Sequence, residues 1–241
     1  MGSDLGDVRV SVRRDTKHVD EDLNWATEPA DSLAAAAPWR AFRWYKGQQH
    51  YSGAYWSATT GDHVLYESRL ELTRVLYADM DPQVTGIVGQ PFLLKARVDG
   101  AVRRHIPDYL LLTSAGPVVV DVKPRHRLEN SKVAFTFSWT REAVETRGWR
   151  FEVWSEPPAE ELSNVRFLAG YRRAVLFDPG LLAELRSVPL AGMTIAQAER
   201  SICSHPTPIV RAALLHLVWS GDYTVALQRP LRKTHLLEVA R

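Results

Sequence analysis

Only one cysteine, Cys203, occurs among 241 residues, so no disulfide and no cysteine-based metal site can close within a single chain. Its ordinary role would be that of a small buried hydrophobe. No run approaches the roughly 20 apolar residues that a membrane-spanning helix needs, and the first residues lack the basic-then-apolar order of a signal peptide. The expectation is a cytoplasmic protein with no membrane partner. A strong charge imbalance is missing as well: the formal net charge is +2, and composition alone therefore does not mark a nucleic-acid binder. Hydrophobic residues at 45% and charged residues at 24% exclude a disordered chain and allow one sizeable core plus a smaller module.

What is present is unevenly spread. Residues 1–38 carry Asp4, Asp7, Asp15, Asp20, Glu21, Asp22, Glu28 and Asp31 against Arg9, Arg13, Arg14 and Lys17, with an Ala34 to Ala37 run. Without a sustained apolar period this stretch reads as a mobile or loosely docked arm. Residues 39–56 then bring Trp39, Phe42, Trp44, Tyr45, Tyr51, Tyr55 and Trp56, interleaved with Arg40, Arg43, Lys46 and His50. Such rings either stack on bases or add a layer to the core, and the second is favoured because aromatics bury large areas.

Leu72, Val75, Leu76 and Met80 recur at helical spacing and predict a helix over 66–80, ended by Asp81-Pro82. Strands are expected at Thr85 to Val88, Phe92 to Val98, Arg103 to Leu112 and, after a Ser114-Ala115-Gly116-Pro117 turn, Val118 to Val122. A helix from Ser131 to Arg147, closed by Gly148, precedes a strand at Phe151 to Trp154, so that the two flanking strands run parallel. A further helix is expected from Leu162 to Arg173. The punctuation Phe177-Asp178-Pro179-Gly180 suggests a boundary. Beyond it, helices near 181–186, 195–202 and 208–219 and a hairpin over 223–238 have the plan of a winged helix-turn-helix. Helix 208–219 is its candidate recognition helix, although its apolar character suits protein docking at least as well. The expected domains are the arm 1–38, a main domain 39–176 with an aromatic extension, and a C-terminal domain 177–241.

The most specific pattern is Pro107-Asp108, twelve residues, then Asp121-Val122-Lys123. Adjacent strands joined by a tight turn would bring Asp108 and Asp121 side by side, with Lys123 on the same strand face as Asp121. Two crowded aspartates repel, and a divalent cation such as Mg2+ or Mn2+ resolves the conflict while leaving room for water. The carbonyl of Val122 is an additional candidate ligand. Phosphodiester hydrolysis needs such a spot.

These residues resemble the PD-(D/E)xK nuclease signature in an acidic helix, hairpin, helix, strand order. Ser68-Arg69-Leu70-Glu71, Gly89-Gln90-Pro91, Pro107-Asp108-Tyr109-Leu110 and Asp121-Val122-Lys123-Pro124 are similar to motifs of TnsA-type endonuclease subunits of heteromeric transposases. The resemblance implies an α/β, restriction-endonuclease-like core (a mixed sheet flanked by helices) with a C-terminal winged-helix-like domain. It further implies that Glu71, Asp108 and Asp121 hold metal and that Lys123 is the catalytic lysine; some relatives have an amide where Asp121 stands. Double-stranded DNA cut at the 5′ ends of a mobile element, an integrase-type transposase partner and an ATPase regulator are the implied partners. Glu67, four residues before Glu71, is an alternative helix acid, and Gln90 a candidate for orienting water or phosphate. Arg103, Arg104 and His105 before the first acid, and Arg125, His126 and Arg127 after the lysine, are candidate phosphate contacts. In the tail, Arg211, Arg229, Arg232, Lys233 and Arg241 outnumber Asp222 and Glu238. The competing readings are a stand-alone repair or junction-resolving nuclease and a non-enzymatic DNA-binding regulator.

Overall fold

The structure is a computed structural model that describes residues 5–39 and 51–239. Of the aromatic segment 39–56, Phe42, Trp44 and Tyr45 lie outside the described residues, as does Arg241; of the rest, Tyr55 is buried as a core residue and Tyr51 is exposed. The chain forms two compact units, one of Met1–Ala78 with Gln83–Glu156 and the other of Asp79–Pro82 with Pro157–Arg241. Among the described residues no helix is long and apolar enough to cross a membrane.

The first unit opens with β1 (Leu5–Arg13), β2 (Val19–Asn24) and the short α1 (Ala30–Ala34). This corrects the expectation of an arm. Val8, Val10 and Val12 alternate with Arg9, Ser11 and Arg13, the period of a half-buried strand, and the flanking charges mask it in any longer window. Val10, Val12 and Leu33 have no exposed surface. Trp25 is buried with them, its ring 5.2 Å from Phe92 and 5.3 Å from Trp149, and its Nε1 donates to the carbonyl of Ala143 at 2.8 Å. Arg147 closes over the same indole and donates to the carbonyls of Trp25 and Glu28.

A hairpin of β3 (Gly53–Trp56) and β4 (His63–Tyr66) leads into α2 (Arg69–Met80). Next come β5 (Val84–Gly89), β6 (Leu93–Val98), β7 (Ala101–His105), β8 (Tyr109–Thr113) and β9 (Val118–Val122). The helix α3 (Ser131–Thr146) then connects β9 to β10 (Arg150–Trp154), which lies parallel to it. Two four-stranded sheets result, in the orders β2-β1-β6-β7 and β10-β9-β8-β5.

The strand expected over 103–112 is two strands in different sheets. Pro107 has no N–H to donate to a ladder, and the chain turns from one sheet into the other at 106–108. Pro91 marks the same passage between β5 and β6. Because β5 pairs with β8 and β6 with β7, these four strands are one long hairpin bent midway, each half completing a different sheet. At the bend the Gln90 N–H donates to the Asp108 carbonyl at 2.8 Å. Gln90 has a φ of 49°, in the left-handed region that non-glycine residues seldom occupy.

The second unit contains α4 (Ala159–Leu168), α5 (Pro179–Ser187), α6 (Ile195–Ser201), α7 (Thr207–Trp219) and a two-residue ladder of β11 (Tyr223–Thr224) with β12 (Glu238–Val239). Its division from the first unit falls at Pro157, earlier than the punctuation at 177 suggests. The reason is α4, which packs on α7. From α4 the buried Asn164 donates to the carbonyls of Leu227 and Arg229 and accepts from the N–H of Leu231. In α7, Val210 and Ala213 through Trp219 are buried, so most of this helix is the core of its own unit, and Thr207 to Ile209 at its start are exposed. Arg211 on it is paired with Glu199.

Candidate active site

The site grows out of the bent hairpin. In β8 and β9, Tyr109 lies opposite Val120 and Leu110 opposite Val119; one further step of that register sets Asp108 opposite Asp121. Lys123, two residues past Asp121, lies on the same face. Val118, Val119 and Val120 are buried, so the acids and the lysine lie at the end of a strand fixed by apolar packing. A cavity of about 380 Å³ opens there, lined by Glu67, Glu71, Arg104, His105, Asp108, Asp121, Val122 and Lys123 among others.

Asp108 accepts the N–H of Val122 at 2.6 Å. Burial holds its carboxyl well above the ordinary carboxylate range, and the charges of Asp121 and Glu71 push the same way, against the Val122 hydrogen bond and Lys123. Asp121, 2% exposed, is gripped from β7: Nε2 of His105 lies 2.9 and 2.8 Å from its two carboxylate oxygens. The His105 ring also meets Trp139 of α3 edge-on, with centroids 6.2 Å apart. Lys123 is anchored by its backbone, with N–H to the Trp154 carbonyl and carbonyl to the Ser155 hydroxyl. Its ammonium opposes, without reversing, the upward shift of the Asp108 and Glu71 carboxyls.

The helix acids divide differently from expectation. Helix α2 begins at Arg69, so Glu67 is outside it and does not share a helix face with Glu71. Ser68 caps the helix: its Oγ accepts the Glu71 N–H at 3.1 Å and donates to the Glu71 carboxylate at 2.9 Å. The second Glu71 oxygen accepts the Glu67 N–H at 2.6 Å. Ser-x-x-Glu is thus also a capping arrangement, reciprocal as capping boxes are. Burial raises the Glu71 carboxyl despite these bonds. Glu67 accepts from Nε2 of Gln90 at 2.7 Å, which ties the α2 entry to the hairpin bend.

Of the candidate phosphate contacts, Arg104 lines the cavity and Arg103 lines a neighbouring cleft. Arg125 and Arg127 line neither. Arg125 follows Pro124 in a short 3-10 turn, and its backbone N–H and guanidinium bond to Glu156. His105 entered the sequence reading only as part of the basic flank, and nothing in the spacing signals its grip on Asp121.

A hard divalent cation suits three carboxylates at one cavity, and its charge would offset the burial of Asp108 and the repulsion from Asp121 and Glu71 that raise its carboxyl. Among the described residues, however, no three carboxylate, imidazole or thiol groups converge closely enough to hold an ion. Asp108 is engaged with Val122, Asp121 with His105, and Glu71 with its own helix cap.

Residues 81–156 match the family model described as TnsA-like endonuclease N terminal. Over this segment, about a third of its length, the chain is similar to TnsA-like endonucleases. The match contains Gln90, Asp108, Asp121 and Lys123 and begins after Glu67 and Glu71. No curated protein matches the chain.

Proposed function

We propose that this protein is a Mg2+- or Mn2+-dependent DNA endonuclease with a restriction-endonuclease-like core, serving as the subunit of a heteromeric transposase that hydrolyses phosphodiester bonds at the 5′ ends of a mobile element. The observation that carries this reading is the β8–β9 register, which sets Asp108 opposite Asp121 with Lys123 on the same face, inside the segment that matches the TnsA-like model.

Asp108 and Asp121, with the Val122 carbonyl and Glu71, line one cavity without converging on an ion site as they stand, and would have to close on the cation to hold it. Bound there, it supplies charge that polarises the scissile phosphate and stabilises the leaving oxygen. Lys123 orients the attacking water and offsets the negative charge that develops on the phosphate. His105 holds the Asp121 carboxylate in place, as outer partners of metal ligands do. Gln90, braced by Glu67, fixes the bend that carries Asp108. Arg103, Arg104, Arg125 and Arg127 contribute affinity for double-stranded DNA without reading its sequence. The C-terminal unit, four α-helices with a minimal ladder among the described residues, serves as a winged-helix-like module. With α7 used as its core, it docks protein, and the integrase-type transposase subunit and an ATPase regulator are the partners this setting calls for.

A cleavage assay in Mg2+ on element-end DNA, with and without the neighbouring transposase subunit, tests the proposal. Cleavage at the ends that requires the partner is the expected result. Unaided cutting of branched DNA would point to a junction-resolving enzyme, and binding without cutting under any metal to a regulator.

A further inference from the structure

Beside the active-site cavity lies a larger cleft of about 890 Å³ between β7 and the start of α3, lined by Arg103, Arg104, Lys132, Phe135, Trp139 and Asp99 among others. Arg104 borders both spaces, so a ligand leaving the site past Arg104 enters the cleft. We propose that this cleft seats the sugar-phosphate backbone of the DNA next to the bond that is cut, with Arg103, Arg104 and Lys132 as its phosphate contacts. The inference rests on the nuclease reading and adds the path of the substrate.

Some arginines of the described chain are held in ion pairs, and the cations of the cleft are not among them. Arg9, Arg14, Arg74, Arg141, Arg186 and Arg211 each pair with a carboxylate. Arg103, Arg104 and Lys132 have no ion pair among the described residues. Arg103 is instead held over the Phe135 ring, 5.2 Å from its centroid. A ring contact positions the guanidinium through its flat face and leaves its in-plane N–H donors for a phosphate. Lys132 stands in the first turn of α3, where the helix dipole adds to the positive potential. The one carboxylate of the lining, Asp99, is at the β6–β7 turn. The three cations thus track from Arg104 at the active-site cavity into the cleft, as one strand of a duplex would run from the scissile phosphate to its neighbours. Such contacts are indifferent to base sequence.

The test is fluorescence anisotropy of a labelled duplex titrated with the full chain in EDTA, where cutting is impossible, over a series of salt concentrations. Arg103→Ala combined with Lys132→Ala is expected to weaken binding on the order of tenfold or more and to reduce the log–log salt slope by about 2, at roughly 0.9 for each phosphate no longer neutralised. Two unrelated duplex sequences should be affected equally. Arg9→Ala with Lys17→Ala, which removes the same charge away from the cleft, should leave the slope unchanged. Unaltered affinity and slope in the cleft variant, or an equal loss in the control, overturns the proposal even if the wild type cuts DNA. Loss of slope in the cleft variant alone supports it even if no metal elicits cleavage, so the cleft and the nuclease reading fail separately.

Discussion

The two sheets of the first unit share one bent hairpin and yet are built in opposite ways. The sheet β10-β9-β8-β5 is assembled within about seventy residues of continuous chain and carries both aspartates and the lysine at the ends of buried strands. The sheet β2-β1-β6-β7 is completed by strands from the N-terminus, and its outermost strand, β7, brings His105 to Asp121 and two arginines to the neighbouring cleft. One sheet supplies the acids, and the other holds them and lines the approach. The chemistry proposed for the first would therefore depend on the folding of the second.

The most damaging change should be removal of residues 1–38. If β1, β2 and Trp25 are part of the core, the shortened chain loses the cooperative thermal unfolding of the first unit, whereas a loosely docked arm would be dispensable. Trp25→Ala is a finer form of the same test: it empties a buried site with one hydrogen bond and two ring contacts, and should cost about 3–5 kcal/mol in denaturant unfolding. Next in size is His105→Ala. Released from its imidazole, Asp121 should bind Mn2+ about 10–100-fold more weakly by calorimetry with little change in thermal stability; unchanged affinity would make the interaction incidental.

Smaller effects separate structure from chemistry at α2 and Asp108. Ser68→Ala removes the helix cap and should cost about 1 kcal/mol while leaving Glu71 in place to serve the cavity. For Asp108 the sign follows from its raised pKa. The folded state binds this proton more tightly than the unfolded chain, so without metal it loses stability as pH rises above the ordinary value of 3.8. Asp108→Asn should therefore raise the melting temperature of the metal-free protein at neutral pH, with the gain fading as pH falls toward 4. A gain that grew on acidification would contradict the repulsion assigned to the site.

The contrast between the sheets also explains what the sequence makes legible. The strand, turn, strand, helix, strand order from Tyr109 to Trp154 is local, and its apolar runs and Gly148 signal it directly. The N-terminal strands are hidden because Val8, Val10 and Val12 are diluted by acids in a window long enough to judge. The break at Pro107 is written in the sequence, since proline cannot continue a ladder, but the segregation of its two sides into separate sheets depends on distant pairing, of β7 with β6 and β6 in turn with β1. Contacts made across that bend, such as His105 with Asp121 and Gln90 with Glu67, have no spacing signature. Ser68-x-x-Glu71 carries two meanings, a helix cap and a family motif, and only the hydrogen bonds reveal the first.

The central claim is that Asp108 serves a metal-dependent cut. It is tested most directly by incubating DNA carrying the element ends, together with the partner subunit, with wild-type protein and with Asp108→Ala in Mg2+ and in EDTA, circular dichroism confirming that the variant is folded. Cutting at the 5′ ends by the wild type in Mg2+ alone, and none by the variant, is the predicted result. Equal cutting by a folded Asp108→Ala protein would contradict the account.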